Sequence, residues 1–195
     1  MKERRVTVTR ETRETNIELT INLSQAEPIA VDVELPFLGH LLHAMAFHGG
    51  FSLEVSGRGD IEVDPHHLVE DVGIVLGQAL GRIPAEYGPV TRFGHAVIPM
   101  DDSLSAATID VCGRPYLVYQ AAFPQSRSGD FDMALLKEFL MGLASAAGMN
   151  LHAHCRYGEN SHHMAESLFK ALGKAIAQAF ASTASSSPLS TKGIL

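Results

Sequence analysis

The chain has 195 residues with a formal net charge of −7, and 46% of its residues are hydrophobic. This length suits one ordinary domain or two small half-domains around a shared core. The negative balance disfavours a nucleic-acid partner, which requires clustered Lys and Arg. Because no stretch approaches the roughly 20 apolar residues of a spanning helix and the N-terminus is charged, we expect no membrane partner and a cytoplasmic location.

The hydrophobic pattern predicts an α+β protein whose element order occurs twice. The first half predicts strands over 4–23 and 29–37, a helix over 38–50, two strands joined by a tight turn over 51–64, and a helix over 66–83. The second half predicts strands over 90–123, a helix over 131–148, a strand and turn over 149–161, and a helix over 162–180. The sequence therefore predicts an internal duplication, with half-domains 1–88 and 89–183 and a polar tail over 184–195.

The motif HHxxE occurs once in each half, as HHLVE at 66–70 and as HHMAE at 162–166. A single copy is weak evidence, because His and Glu are ordinary residues of a solvated first helical turn. Two copies at matching places of a repeat favour a shared function. On a helix the first His and the Glu of each copy share a face, whereas the adjacent imidazoles diverge by about 100°. One HH pair is therefore better suited to two metal ions than to one.

Each half also places one metal-capable residue on its first predicted helix. His40 precedes its HH pair by 26 residues and Glu138 precedes its pair by 24, so a two-residue difference in the intervening turn would reconcile the halves. Imidazole and carboxylate without thiolate suit Mn²⁺, Fe²⁺, Co²⁺ or Zn²⁺. Two sites of four ligands would use all eight candidates, which are His40, His66, His67, Glu70, Glu138, His162, His163 and Glu166.

The chain resembles the imidazoleglycerol-phosphate dehydratase family, the manganese lyases of histidine biosynthesis. The matching stretches run nearly end to end and are RETRET, LPFLGHLLHAMAFHGGF, VDPHHLVEDVGIVLGQAL, RFGHAVIPMDDSL, DVCGRPYL, GENSHHMAESLFKAL and STKG. The resemblance implies two similar α+β half-domains, each a mixed β-sheet with helices packed on one face. It also implies dehydration of imidazoleglycerol phosphate to imidazole acetol phosphate, with the substrate held as an imidazolate by two Mn²⁺ ions per chain, in a homo-oligomer of 24 chains.

The resemblance further implies roles for individual residues. The carboxylates expected to be catalytic are Glu14, Glu70 and Glu166, of which Glu14 is the acid/base group for the substrate side chain. The residues expected to bind the substrate phosphate are Arg92, Arg114, Lys170, Ser190 and Lys192. The HHxxE residues and His40 are the expected metal ligands.

The sequence departs from the family pattern near this site. Gly39, His43, Ala44 and Pro65 replace Asp, Asp, Gln and Asp, and Glu138 replaces a metal-binding histidine. Because glutamate is itself a ligand for Mn²⁺, we expect a retained but altered site; the alternatives are a weakened or a vacated metal position. A non-catalytic metal-stabilised assembly and a di-metal hydrolase of a small phosphorylated metabolite also remain open at this point.

Overall fold

A computed structural model of the chain describes residues 3–183, which form two four-stranded sheets, a short hairpin and four long helices. The helices are α1 Pro36–Gly49, α2 His66–Tyr87, α3 Leu135–Ala147 and α4 Ser161–Ala179. The strands are β1 Arg5–Glu11, β2 Thr15–Asn22, β3 Ile29–Val33, β4 Ser52–Gly59, β5 Phe93–Met100, β6 Ser103–Val111, β7 Tyr116–Gln120, β8 Arg127–Ser128, β9 Phe131–Asp132 and β10 Met149–Tyr157. Within the described residues, no helix combines the length and the apolar character needed to cross a membrane.

The two large sheets have the same topology. Their strand orders are β1-β2-β4-β3 and β5-β6-β10-β7. In each sheet the first three strands pair antiparallel, and the last strand pairs parallel with its neighbour. This correspondence confirms the predicted fold of two similar α+β halves. The hairpin β8–β9 has no counterpart among the strands of the first half.

The helices lie between the two sheets and exchange partners across the halves. α2 packs on β1 and β2, and α4 packs on β5 and β6, so each sheet carries helices on one face. α1 pairs with α4, however, and α3 pairs with α2. The first helix of each half therefore lies beside the second helix of the other half, and all of these elements share one hydrophobic core.

Two glycines allow these helix pairs to approach at equivalent points. A Cβ on Gly173 of α4 would lie 2.0 Å from the Met45 carbonyl oxygen of α1, and a Cβ on Gly77 of α2 would lie 2.6 Å from the Leu143 carbonyl oxygen of α3. Met45 and Leu143 each stand five residues before the glycine that ends their helix in a left-handed conformation. The pairs α1–α4 and α3–α2 therefore share the same relative placement.

The prediction of a second strand at the end of 51–64 is wrong. Residues 60–65 instead form a turn, in which the Asp60 carbonyl oxygen accepts from the backbone N–H of Val63 at 2.8 Å and the Asp64 carboxylate accepts from the N–H of His66 at 2.9 Å. Both edges of β4 are already paired with other strands, so no position beside it remains for a hairpin. This turn has two residues more than the corresponding segment 158–161, which confirms the predicted difference in length.

Candidate active site

The structure brings three of the predicted metal ligands together, and we call them the second-half centre. The Nε2 of His40 on α1 lies 3.0 Å from the Oε2 of Glu166 on α4, and the Nε2 of His162 lies 3.2 Å from the same oxygen. The donor atoms of the three residues all lie within 4.8 Å of one another. The pairing of α1 with α4 is what brings His40 to the HHMAE motif.

The donor set of this centre fits a divalent transition metal. Two imidazole nitrogens and a carboxylate oxygen converge, a donor set that suits Mn²⁺, Fe²⁺, Co²⁺ or Zn²⁺. Burial raises the pKa of Glu166, but hydrogen bonds from Lys170 and His40 outweigh it and bring the pKa to about 2. The Nζ of Lys170 lies 2.8 Å from the Oε1 of Glu166. The carboxylate is therefore ionised at neutral pH, as metal ligation requires.

The corresponding residues of the other half are His66, Glu70 and Glu138, and we call them the first-half centre. Among the described residues, their donor atoms do not form a group as close as that of the second-half centre. The Nε2 of His66 lies 3.6 Å from the Oε2 of Glu70. Glu138 stands ten residues before Gly148, as His40 stands ten residues before Gly50. The matched helix pairing therefore gives Glu138 the place beside α2 that His40 has beside α4.

The second histidine of each HH pair turns away from the centre of its own half. The rings of His66 and His67 are inclined at 89°, and those of His162 and His163 at 86°, with centroids 6.1 Å apart in both pairs. The predicted divergence is confirmed by their partners, because the first histidine of each pair faces the glutamate of its motif and the second faces an aspartate outside it. Neither His67 nor His163 belongs to the donor group formed by the second-half centre.

Two aspartates hold these diverging histidines. The Nδ1 of His67 lies 2.9 Å from the Oδ1 of Asp60, and the Nδ1 of His163 lies 2.5 Å from the Oδ1 of Asp102. The hydrogen bond to Asp60 raises the pKa of His67. The hydrogen bond from His163, with those from two backbone N–H groups, holds the pKa of Asp102 well below its usual range. Carboxylates that orient metal-binding histidines act in this way, and sequence spacing did not point to either residue.

Glu14, the predicted acid/base group, lies beside the pair formed by His67 and Asp60. Its carbonyl oxygen accepts from the backbone N–H of Asp60 at 3.0 Å, and its exposed carboxylate contributes to the raised pKa of His67. The next residue, Thr15, donates from its hydroxyl to the buried Asp71 of α2 at 2.6 Å. The turn that carries Glu14 is thereby fixed to the helix that carries HHLVE.

Among the described residues, the predicted phosphate-binding residues Lys170, Arg92 and Arg114 do not converge within one chain. Lys170 lies at the second-half centre, whereas the backbone N–H of Arg92 donates to the Ala179 carbonyl oxygen at the far end of α4. The 17 helical residues between His162 and Ala179 correspond to roughly 25 Å. Arg114 follows β6 at the same far end, where the N–H of Val111 donates to the carbonyl oxygen of Arg92.

Asp110 of β6 fixes the guanidinium of Arg92. Its Nε lies 2.7 Å from Oδ1 of Asp110 and its Nη2 lies 3.2 Å from Oδ2, and the first of these hydrogen bonds raises the pKa of Arg92. Its backbone has a φ of 79°, which is uncommon for a residue with a side chain. Ser190 and Lys192 lie outside the described residues.

A cavity of about 440 Å³ opens beside the second-half centre. Its walls include His40, His162, Phe37 and Phe131, and the ring of Phe37 lies 5.1 Å from that of His162 and 5.4 Å from that of Phe131. The hairpin β8–β9 contributes Ser128, whose Oγ lies 3.4 Å from the Nδ1 of His162. Sequence reasoning missed this hairpin because its strands have two residues each, too few to show a period.

The depressed pKa of Glu166 predicts an acid-sensitive contribution to the stability of the metal-free protein. Such a carboxyl group stabilises the fold fully above its unfolded pKa of about 4.5, and the contribution is lost as the pH falls through its folded pKa of about 2. Lys170→Met is expected to reduce the loss of unfolding free energy between pH 5 and pH 3, because Lys170 helps to depress this pKa. Urea unfolding at both pH values measures this loss of unfolding free energy, and Lys174→Met is the control. Equal losses in wild type and in Lys170→Met would contradict the role of Lys170 in lowering the pKa of Glu166.

Fold and site together define a class of duplicated α+β proteins with a histidine–carboxylate centre in each half. The chain belongs to the imidazoleglycerol-phosphate dehydratase family, whose model matches residues 33–176. This result confirms the family that the motifs predicted, and with it the assignment of the protein to a family of enzymes.

Curated relatives and solved structures agree with this membership. The imidazoleglycerol-phosphate dehydratase of Geobacter metallireducens is 44% identical over 176 residues, which cover 90% of each chain. That of Syntrophus aciditrophicus is 44% identical over 194 residues, which cover 98% of each chain. The crystal structure of the Staphylococcus aureus enzyme superposes with a TM-score of 0.82 at 32% identity, covering 92% of this chain and 99% of that one. The crystal structure of the Pyrococcus furiosus enzyme in complex with (S)-C348 superposes with a TM-score of 0.83 at 36% identity, covering 96% of this chain and 100% of that one.

Proposed function

We propose that the protein dehydrates imidazoleglycerol phosphate to imidazole acetol phosphate in histidine biosynthesis, with Mn²⁺ at the two centres. The activity is the one that the family and the curated relatives carry in their names. The observation that supports it most directly is the convergence of His40, His162 and Glu166. In the other half His66 lies 3.6 Å from Glu70, and Glu138 holds the helix position that corresponds to His40. The three donors of each centre are the residues that we assign to hold a metal ion.

The protein's own residues account for binding and proton transfer. Bound Mn²⁺ would supply Lewis acidity that lowers the pKa of an imidazole N–H. Asp60 fixes the tautomer of His67 by binding Nδ1, which leaves Nε2 as the ring nitrogen for a ligand. The exposed carboxylate of Glu14, on the turn beside this pair, is assigned to move protons on the side chain of the substrate. The rings of Phe37 and Phe131 form an apolar wall beside the second-half centre.

The proposed site is shared between copies of the chain. Arg92 and Arg114 lie at the end of α4 opposite to His162, and a small phosphorylated metabolite is far shorter than the length of that helix. If Arg92 or Arg114 binds the phosphate of a substrate held at the second-half centre, it therefore comes from a second copy. In this proposal His67 and His163, which bind Asp60 and Asp102 rather than the glutamates of their motifs, serve a site completed by a neighbouring chain. This arrangement supports a homo-oligomer, and the 24-chain assembly implied by the resemblance remains a prediction.

Turnover by the purified protein tests the proposal. Protein stripped of metal by a chelator is expected to be inactive and to convert imidazoleglycerol phosphate to the ketone, with loss of water, once Mn²⁺ is restored. Mass spectrometry of the product measures this conversion. Glu14→Gln is the matched variant: it is expected to keep its metal and lose turnover by about 10²- to 10⁴-fold, because a general acid/base group contributes that much.

Two outcomes would assign a different function. Folded, metal-loaded protein that leaves the substrate unchanged would favour the non-catalytic metal-stabilised assembly. Release of inorganic phosphate without dehydration would favour the di-metal hydrolase.

A further inference from the structure

The matched packing of the two helix pairs allows the two centres to be compared residue by residue. His162 and Glu166 correspond to His66 and Glu70, and the close approach of Gly173 to Met45 corresponds to that of Gly77 to Leu143. Two positions of the centres differ in charge. The first is His40, which corresponds to Glu138.

The second difference is Lys170, which lies one helical turn after Glu166 and binds its Oε1 at 2.8 Å. The position one turn after Glu70 is occupied by Ile74, whose side chain lies against α3. The second-half centre therefore combines one carboxylate with one ammonium group. The first-half centre combines two carboxylates with no ammonium group at the matching position.

These differences act on metal binding in the same direction. A cation that binds Glu166 must displace the Nζ of Lys170 or accept its positive charge nearby. Solvent screens this effect weakly, because the side chains of Lys170 and Glu166 are only 17% and 11% exposed. In the first-half centre no ammonium group stands at the matching position, and a bound cation would be balanced by two carboxylates, although Glu70 is 42% exposed and its contribution is screened more. Lys170 is therefore the larger of the two causes.

We propose that the two centres bind divalent metal unequally: the first-half centre fills first, and Lys170 opposes filling of the second-half centre. This inference rests on the proposed function, since it takes both centres to be metal sites. It adds an order of loading, in which the second-half centre is the one emptied first when metal becomes scarce. The assembled active site would then respond to metal supply through Lys170.

Titration of the metal-free full-length protein with Mn²⁺ tests the proposal. Calorimetry and the electron paramagnetic resonance signal of free Mn²⁺ measure the binding. Wild type is expected to bind in two classes, one ion per chain in each, with dissociation constants that differ by about tenfold or more. Lys170→Met is expected to tighten the weaker class by about tenfold and to leave the tighter class within about twofold. Glu138→Gln is expected to weaken the tighter class only.

Reciprocal and control variants keep the outcome interpretable. Ile74→Lys places an ammonium group at the first-half centre and is expected to weaken the tighter class. Lys174→Met removes an exposed cation one turn further along α4 and is expected to change neither class. A single class in wild type, or a weaker class that Lys170→Met leaves unchanged, would overturn the inference. Two classes of metal binding without turnover would instead contradict the proposed function. Turnover with a single class of metal binding would contradict this inference and leave the proposed function intact.

Discussion

Mixed oligomers of two inactive variants, His162→Ala and Arg92→Ala, are expected to recover activity. His162→Ala removes a donor of the second-half centre, and Arg92→Ala removes a guanidinium roughly 25 Å away along α4 of the same chain. If each active site joins the centre of one chain to the Arg92 of another, random mixing restores roughly one quarter of the sites. Coexpression with two different affinity tags isolates the mixed species, and turnover with Mn²⁺ measures the recovery.

A second mixture provides the control for complementation. His162→Ala and Glu166→Gln both damage the same centre, so every second-half centre in their mixed oligomers carries one of the two defects, and no recovery is expected. Mass spectrometry of the intact assemblies verifies that both chains are present. Verified mixed oligomers of His162→Ala and Arg92→Ala without activity would show that Arg92 does not complete a neighbour's site.

The sequence was sufficient to predict those features that follow from periodicity and repetition. The two HHxxE motifs lie in the first turns of α2 and α4, and the imidazoles of each pair diverge as helical geometry requires. Glu138 matches His40 in the structure, because both helices end at a left-handed glycine at the same spacing. These features depend on local spacing along a helix, which a single sequence carries in full.

Features that depend on the packing of distant elements were not predictable. Nothing in the sequence shows that α1 lies beside α4 rather than beside α2, which decides that His40 joins Glu166. Asp60 follows β4, whereas Asp102 lies between β5 and β6, so the two aspartates that bind the diverging histidines come from loops that do not correspond to each other in the two halves. The distance between Arg92 and His162 likewise requires the length and direction of α4.

Gly173→Val is expected to destabilise the fold strongly. A Cβ at this position would lie 2.0 Å from the Met45 carbonyl oxygen, which is backbone and cannot move without shifting α1. Overpacking of this kind costs about 3 kcal/mol or more of unfolding free energy. Urea unfolding measures this loss, and Gly81→Ala is the matched control, since its Cβ would lie 3.2 Å from its nearest neighbour.

The same substitution tests how the fold builds the second-half centre. Displacement of α1 from α4 carries His40 away from His162 and Glu166, whereas α2, α3 and the first-half centre keep their packing around Gly77. At temperatures where Gly173→Val remains folded, its Mn²⁺ affinity should therefore fall at one centre only. Gly173→Val with wild-type stability, or with equal losses of affinity at both centres, would contradict the view that this single close approach sets the position of His40.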